Sequence, residues 1–177
     1  MKFRILHYPV LDSSNNLAKE FAARGAGEGT VVFSDYQTKG RGQFKRKWVS
    51  PRAKDLLFSL ITRPAHLKAG EASLVTQLAA MSVRDVLMSV FKIEAKIKKP
   101  NDLLVNGKKI CGILVESSTS GKTVEYMVIG IGLNVNSKQR ELVRGATSIF
   151  EVVGIKADRR ELLEHILRDL DKRIGES

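Results

Sequence analysis

Apolar residues recur along the chain at two spacings, and the switches between them mark out the elements. Leu17 and Phe21 stand one helical turn apart behind Asp12-Ser13-Ser14-Asn15, a run of capping side chains, and Gly25 is placed to end the element. Together they predict a helix over 14–24. Residues 30–34 and 56–62 are β-branched, aromatic or aliphatic and predict strands on either side of a basic, glycine-containing loop over 38–54. From about 71 to 91, Leu74, Val75, Leu78, Ala79, Met81, Val86 and Val90 form a broad apolar helical face with no internal proline, as a central buried helix requires.

Ile93, Ala95 and Ile97 alternate with Glu94, Lys96 and Lys98, which is strand periodicity with Lys98 on the polar side, stopped by Pro100. Asn106-Gly107 between Leu103-Leu104-Val105 and residues 110–115 is a strong hairpin signal. A second hairpin is expected through 117–122. Its return strand, 124–134, contains Gly130 and Gly132, where missing side chains let something approach the backbone. Asp158-Arg159-Arg160-Glu161 reads as an Asp variant of a capping box before Leu163, Ile166, Leu167, Leu170 and Ile174. Helix, two strands, helix, several hairpin-linked strands and a final helix argue α+β with a mixed, largely antiparallel sheet; a doubly wound fold fits poorly. No repeat or linker divides the chain, which reads as a single domain over 1–177.

Composition narrows the classes. The 177 residues are 43% apolar, enough for one real core. Apolar runs such as 128–135 fall far short of the roughly 20 residues of a membrane helix, and no apolar stretch follows Met1-Lys2-Phe3-Arg4, so the expectation is a cytoplasmic protein without a membrane span. The lone cysteine, Cys111, makes neither an internal disulfide nor a zinc cluster and reads as a small buried residue. His7, His66 and His165 share no ligand spacing. With 30 Lys and Arg against 19 Asp and Glu, the formal charge is +11, which favours polyanions or acidic proteins. A basic nucleic-acid-binding module is one alternative, with salt-sensitive binding as its signature. The cations are spread along the chain, however, only 6% of residues are aromatic, and no Cys/His finger is present.

Two nucleotide motifs fail. Gly121-Lys122-Thr123 has Glu116 where a phosphate-binding loop needs its leading glycine, and Gly130-Ile131-Gly132 lacks the third small residue of a dinucleotide fingerprint. The segment Gln37-Thr38-Lys39-Gly40-Arg41-Gly42-Gln43-Phe44-Lys45-Arg46-Lys47-Trp48 is more informative. Its glycines allow backbone amides to face an anion, its arginines supply paired donors, and its indole can cover an adenine. Read alone it is also an ordinary basic loop. Pro100-Asn101-Asp102 alone is an ordinary turn, and Lys109 an ordinary hairpin lysine beside Lys108, which strand alternation sends to the other face.

Taken in order, these segments resemble the catalytic domain of biotin protein ligases. The loop resembles that family's Gly-Arg-Gly-Arg-x-Gly-Arg-x-Trp, with Gln43 at the second arginine and Lys45 at the third glycine. Lys98-Lys99-Pro100-Asn101-Asp102-Leu103 resembles Lys-Trp-Pro-Asn-Asp-Leu, with Lys99 at the tryptophan. Lys109-Ile110-Cys111-Gly112-Ile113-Leu114-Val115-Glu116 resembles Lys-x-x-Gly-Ile-Leu-x-Glu, Ser13-Ser14-Asn15 resembles Ser-Thr-Asn, and Gly132-Leu133-Asn134 and Ala146-Thr147-Ser148-Ile149 also match.

The resemblance implies a sheet of the class II aminoacyl-tRNA synthetase type. It also implies ATP- and magnesium-dependent attachment of biotin, through biotinyl-AMP, to a lysine of a biotin carboxyl carrier protein. The roles it implies are catalytic for Arg41, Lys98 and Lys109; biotin-binding for Ser13, Ser14, Asn15, Gln37, Gly40, Arg41, Lys109 and Gly112; and ATP-binding for Arg41, Arg46, Trp48, Lys98, Asn101 and Asn134, with Asp102 a candidate for magnesium. Gln43, one cation fewer, should loosen the grip on the adenylate. A lipoate- or octanoate-ligase-like enzyme is the nearer alternative. Homodimers are common in the family. The short stretch before Leu11 leaves no room for the helix-turn-helix of some relatives, so specific DNA binding is not expected, nor is the small C-terminal β-barrel that many carry.

Overall fold

The β-branched and aromatic runs become the middle of a sheet because both of its faces are covered there. The computed structural model describes residues 1–63, 72–121 and 123–176, with the side chain of Lys45 excepted. His66, Lys122, the Lys45 side chain and residue 71, where the second helix was expected to start, lie outside the described residues. In chain order the elements are β1 (Arg4–Tyr8), α1 (Ser14–Ala23), β2 (Thr30–Ser34), β3 (Leu56–Thr62), α2 (Ala72–Phe91), β4 (Lys96–Lys98), β5 (Asp102–Val105), β6 (Lys108–Ser120), β7 (Thr123–Leu133), α3 (Ile149–Val153) and α4 (Arg159–Gly175). Among the described residues, seven strands form one sheet in the order β1-β2-β3-β7-β6-β5-β4. β1 runs parallel to β2 and every other neighbouring pair is antiparallel.

Period-two alternation sorts the side chains of each strand between two cores. On one face Phe58 and Leu60 of β3, Ile129 and Ile131 of β7 and Ile113 of β6 meet Val75, Ala79, Val83 and Leu87 of α2 and Leu163, Ile166 and Leu170 of α4. On the other face Val32, Ile61 and Val128 meet Ala18 and Ala22 of α1. α2 has the length and the mean hydropathy, 1.4, of a membrane-crossing helix. Gln77, Arg84 and Asp85 hide it from a search for unbroken apolar runs, and here it buries its apolar face on the sheet and α4.

Several expectations need correction. β1 was not foreseen, since Arg4 and His7 break its apolar pattern. Ile93 and Ala95 are buried as predicted, but the strand begins only at Lys96, which leaves β4 three residues long. The second hairpin turns only after Ser120, because β6 runs on to that residue. Asp158 caps α4 by accepting from the Arg160 and Glu161 amides at 2.7 and 3.0 Å, without the reciprocal Glu161 contact of a full box. At α1 the Ser13 side chain makes no cap bond; the Ser14 amide donates instead to Gln37 Oε1 at 2.6 Å.

Phe58, fully buried at the centre of β3, is expected to lose about 3–5 kcal/mol of stability on truncation to Ala. Denaturant titration checks this, and a midpoint unchanged from wild type would contradict the packing described.

Candidate active site

α1 is too short to cover its face of the sheet. It lies over β2, β3 and one end of β7, and the rest of that face is roofed by the 40–48 loop and flanked by residues 98–101, which encloses a cleft of about 320 Å³. The loop doubles back on itself through Trp48 N to Gly40 O and Gly42 N to Arg46 O. Its far end is anchored by Asp55, a buried carboxylate accepting from Ser50 Oγ at 2.7 Å and from Val135 N and Ser137 Oγ at 2.8 Å. Burial pushes the Asp55 carboxyl up in spite of those bonds.

Part of the cleft lining is polar and uncharged. Ser13, Ser14 and Asn15 open α1 there, buried but facing the cleft, with Gln37 beside them. Asn15 is committed within the protein: Nδ2 donates to Leu114 O at 3.2 Å and to Glu116 Oε2 at 3.0 Å, while Oδ1 accepts from Ser59 Oγ at 2.6 Å. The amide can lie flat on β7 only because residue 130 is glycine, since a Cβ there would overlap Asn15 Oδ1. Gln37 keeps its Nε2 donors unpaired among the described residues, as a carbonyl-bearing ligand would need.

Cations gather along the rest of the cleft. Arg41, Arg46 and Lys98 line it, and Lys109 Nζ lies 2.7 Å from Asp102 Oδ1 and 5.5 Å from the centre of the Trp48 ring. Lys109 reaches this face through an irregularity. Gly112 and Leu114 both line the cleft, so unbroken alternation would have turned Lys108 towards it and Lys109 away. A register shift in the β5–β6 pairing, between Leu103 and Leu104, resets the alternation. Ile110 and Cys111 both become buried, Lys109 enters the cleft and Lys108 remains exposed. Lys109 and not Lys108 thus lines the cleft, through this irregularity and not through the simple alternation expected from the sequence. Burial raises the Cys111 thiol far above its ordinary range, which suits an inert core residue.

The floor is bare backbone. Gly112 and Gly132 are register partners on β6 and β7, and the Trp48 indole lies against both: an added Cβ would stand 2.8 Å from Trp48 Cζ3 at residue 112 and 2.5 Å from Cε2 at residue 132. The indole Nε1–H is buried and unpartnered among the described residues. Three expected ligands lie differently. Gly40 is buried beneath Trp48 rather than lining the cleft. Asn101 borders the cleft but donates its amide to Ile113 O at 2.9 Å. Asn134 is buried behind β6, donating to Thr147 O at 2.9 Å and outside the lining. Among the described residues no three His, Cys, Asp or Glu side chains gather to hold a metal, and Asp102 is the one carboxylate lining the cleft. A single carboxylate suits a magnesium ion held mainly by substrate phosphates.

The sequence model of the Biotin/lipoate A/B protein ligase family matches residues 8–134. The chain belongs to that family. It is 39% identical over 173 residues, 96% of its length, to the "Bifunctional ligase/repressor BirA" of Bacillus subtilis, of which it covers 53%. It is 32% identical over 157 residues to the "Biotin--[acetyl-CoA-carboxylase] ligase" of Mycobacterium tuberculosis, covering 86% of this chain and 57% of that one. The chain thus spans about half the length of these curated relatives. Among solved structures, the biotin protein ligase from Aquifex aeolicus in complex with biotin and ATP superimposes with a TM-score of 0.82 at 29% identity, over 97% of this chain and 70% of that one. The expected α+β class with a mixed, largely antiparallel, synthetase-like sheet therefore holds.

Within this ligase-family fold, Glu116 and Ser59 were missed as contributors to the site. Glu116 is the last residue of the β6 motif, and a strand carboxylate looks like a solvated one; Ser59 sits in an otherwise apolar strand. Both act on Asn15 across more than 40 residues of sequence, which local pattern does not reveal. Gly132→Ala is expected to displace the Trp48 indole while the two cores stay intact. The emission of this single tryptophan should shift and its quenching by iodide should rise, with little change in far-UV circular dichroism. An unchanged spectrum would contradict the contact.

Proposed function

We propose that this chain activates biotin with ATP and transfers it, through biotinyl-AMP, to a lysine of a biotin carboxyl carrier protein, in the cytoplasm. One observation carries the reading: the uncharged polar groups of Ser14 and Gln37 share one cleft with a glycine floor and with the cations Arg41, Lys98 and Lys109. That layout suits a molecule with a ureido ring at one end and a carboxylate at the other, since a buried urea needs hydrogen-bond partners. The biotin ligases that the chain resembles point the same way.

In the first step a biotin carboxylate oxygen bonds to the α-phosphorus of ATP, the bond to the bridging oxygen breaks, and pyrophosphate leaves. An anion must approach a polyanion, so fixed positive charge lowers the barrier, and Arg41, Lys98 and Lys109 supply it from separate elements. Magnesium, where bound, would meet Asp102 and neutralise phosphate charge. In the second step the carrier lysine, as the free amine, bonds to the acyl carbon; AMP departs with the former carboxylate oxygen, and the amine proton passes to solvent. The mixed anhydride is open to hydrolysis, and the 40–48 loop with Trp48 over Gly112 and Gly132 is placed to keep water out. A lipoate-type ligand would leave the donors of Gln37 unmatched.

Calorimetry with biotin, followed by ATP and magnesium with detection of AMP and pyrophosphate, tests the proposal. Absence of biotin binding would sink it in favour of a medium-chain acid. In single-turnover experiments Arg41→Ala and Lys109→Ala should each slow adenylation at least about tenfold, with exposed Lys108→Ala near wild type. Gln43→Arg should slow release of the adenylate from the enzyme, and release as fast as wild type would remove Gln43 from the account.

A further inference from the structure

Arginine has two edges that can grip an oxyanion: the end formed by Nη1 and Nη2, and the side formed by Nε and Nη2. In Arg41 the end is taken. Nη1 donates to Glu116 Oε2 and Nη2 to Glu116 Oε1, each at 3.0 Å, and the second Nη1 proton goes to Asn16 Oδ1 at 2.7 Å. Nε and the remaining Nη2 proton have no partner among the described residues, so the side edge is intact and Arg41 lines the cleft. Glu116 itself does not line it.

We propose that Glu116 is a positioning residue, whose carboxylate fixes the guanidinium of Arg41 by its end so that its side edge is presented to the acidic part of the ligand. The inference rests on the reading that Arg41 meets an oxyanion in this cleft. Two features distinguish such a mount from a surface ion pair. The carboxylate is held from three directions, by Asn15 Nδ2 and Lys19 Nζ at 3.0 Å from α1 as well as by Arg41 from the loop. With Lys19 and Arg41 both on one carboxylate, the group keeps a net positive charge, so holding Arg41 does not cancel what it offers a ligand. Burial would raise the Glu116 carboxyl, but the hydrogen bonds from Asn15, Lys19 and Arg41 and the Arg41 charge outweigh it and hold the group ionised. Arg41 otherwise sits on a glycine-flanked loop, where an unheld side chain would sample many rotamers.

Glu116→Gln keeps the shape and removes the charge and the double acceptor. Single-turnover adenylation should fall about tenfold in the wild-type background but by less than about twofold when Arg41→Ala is already present, the coupling expected of residues acting as a unit. Glu116→Asp should recover part of the rate. Equal losses in both backgrounds would overturn the proposal by showing that Glu116 acts through Asn15 alone. A faster Glu116→Gln enzyme would overturn it too, by showing that Glu116 competes with the ligand for Arg41. The amide-like 15N–1H resonance of Arg41 Nε, assigned by its loss in Arg41→Lys, reads the mount without any turnover. It should be sharp and slow to exchange in wild type and broadened in Glu116→Gln, and the same line in both proteins would overturn the proposal. A wild type that forms no adenylate yet shows this contrast would instead sink the ligase reading and leave the mount standing.

Discussion

Close approach to bare backbone is the constraint on which the rest of the site depends. β6 and β7 present Gly112, Gly130 and Gly132 to one face of the sheet, and each removes a Cβ that a neighbour's side chain would otherwise meet. Asn15 takes the space over Gly130, and the Trp48 indole that over Gly112 and Gly132. With side chains at these positions α1 would ride higher on the sheet, Ser14 and Gln37 would part, and the loop would lose the surface it closes on. Glycine in a strand interior is costly because it surrenders packing and conformational entropy. Here the opposite face of the same strands compensates, since Ile113, Ile129 and Ile131 are buried against α2 and α4. The open face can carry chemistry because the closed face carries stability.

The elements were legible wherever one period ran without interruption. α1, α2, α4, the strands around the basic loop and the Asn106-Gly107 hairpin all follow from spacing and turn chemistry. What escaped was set by contacts distant in sequence. β1 is a strand because β2 offers it a parallel edge, not because Arg4-Ile5-Leu6-His7-Tyr8 alternates well. The start of α1 reads as a self-capped helix, yet Gln37 supplies the acceptor for the Ser14 amide, while the Ser14 hydroxyl pairs with Ser59 Oγ at 2.8 Å. The irregularity that admits Lys109 involves a single residue of register and leaves no compositional trace.

The recognised motifs likewise mix two kinds of residue. Arg41, Lys98, Lys109 and Gln37 reach the cleft with polar atoms to offer. Asn134 has a structural place, joining the ends of β6 and β7 to the turn before α3 through Ile110 O, Lys109 O and Thr147 O. Asn15 belongs with it: its donors and acceptor are matched inside the protein, so it shapes the polar part of the lining more than it supplies contacts there. A pattern of letters does not separate ligands from the groups that hold them, and a hydrogen-bond inventory does.

Arg41 and Lys109 illustrate two ways of holding a cation in the cleft. Arg41 is held by Glu116 through one edge and can meet an oxyanion through the other without giving up its partner. Lys109 is an ammonium, a point charge without distinct edges, and its contacts are Asp102 and the face of Trp48. An oxyanion arriving at Lys109 therefore competes with Asp102 directly, unless another cation takes over that carboxylate. On the proposed function, a magnesium ion accompanying ATP would be such a cation, since it prefers hard oxygen ligands. Asp102, the one carboxylate among the described residues lining the cleft, would then hold Lys109 in place until such a cation took it over, and would release Lys109 Nζ to face an oxyanion.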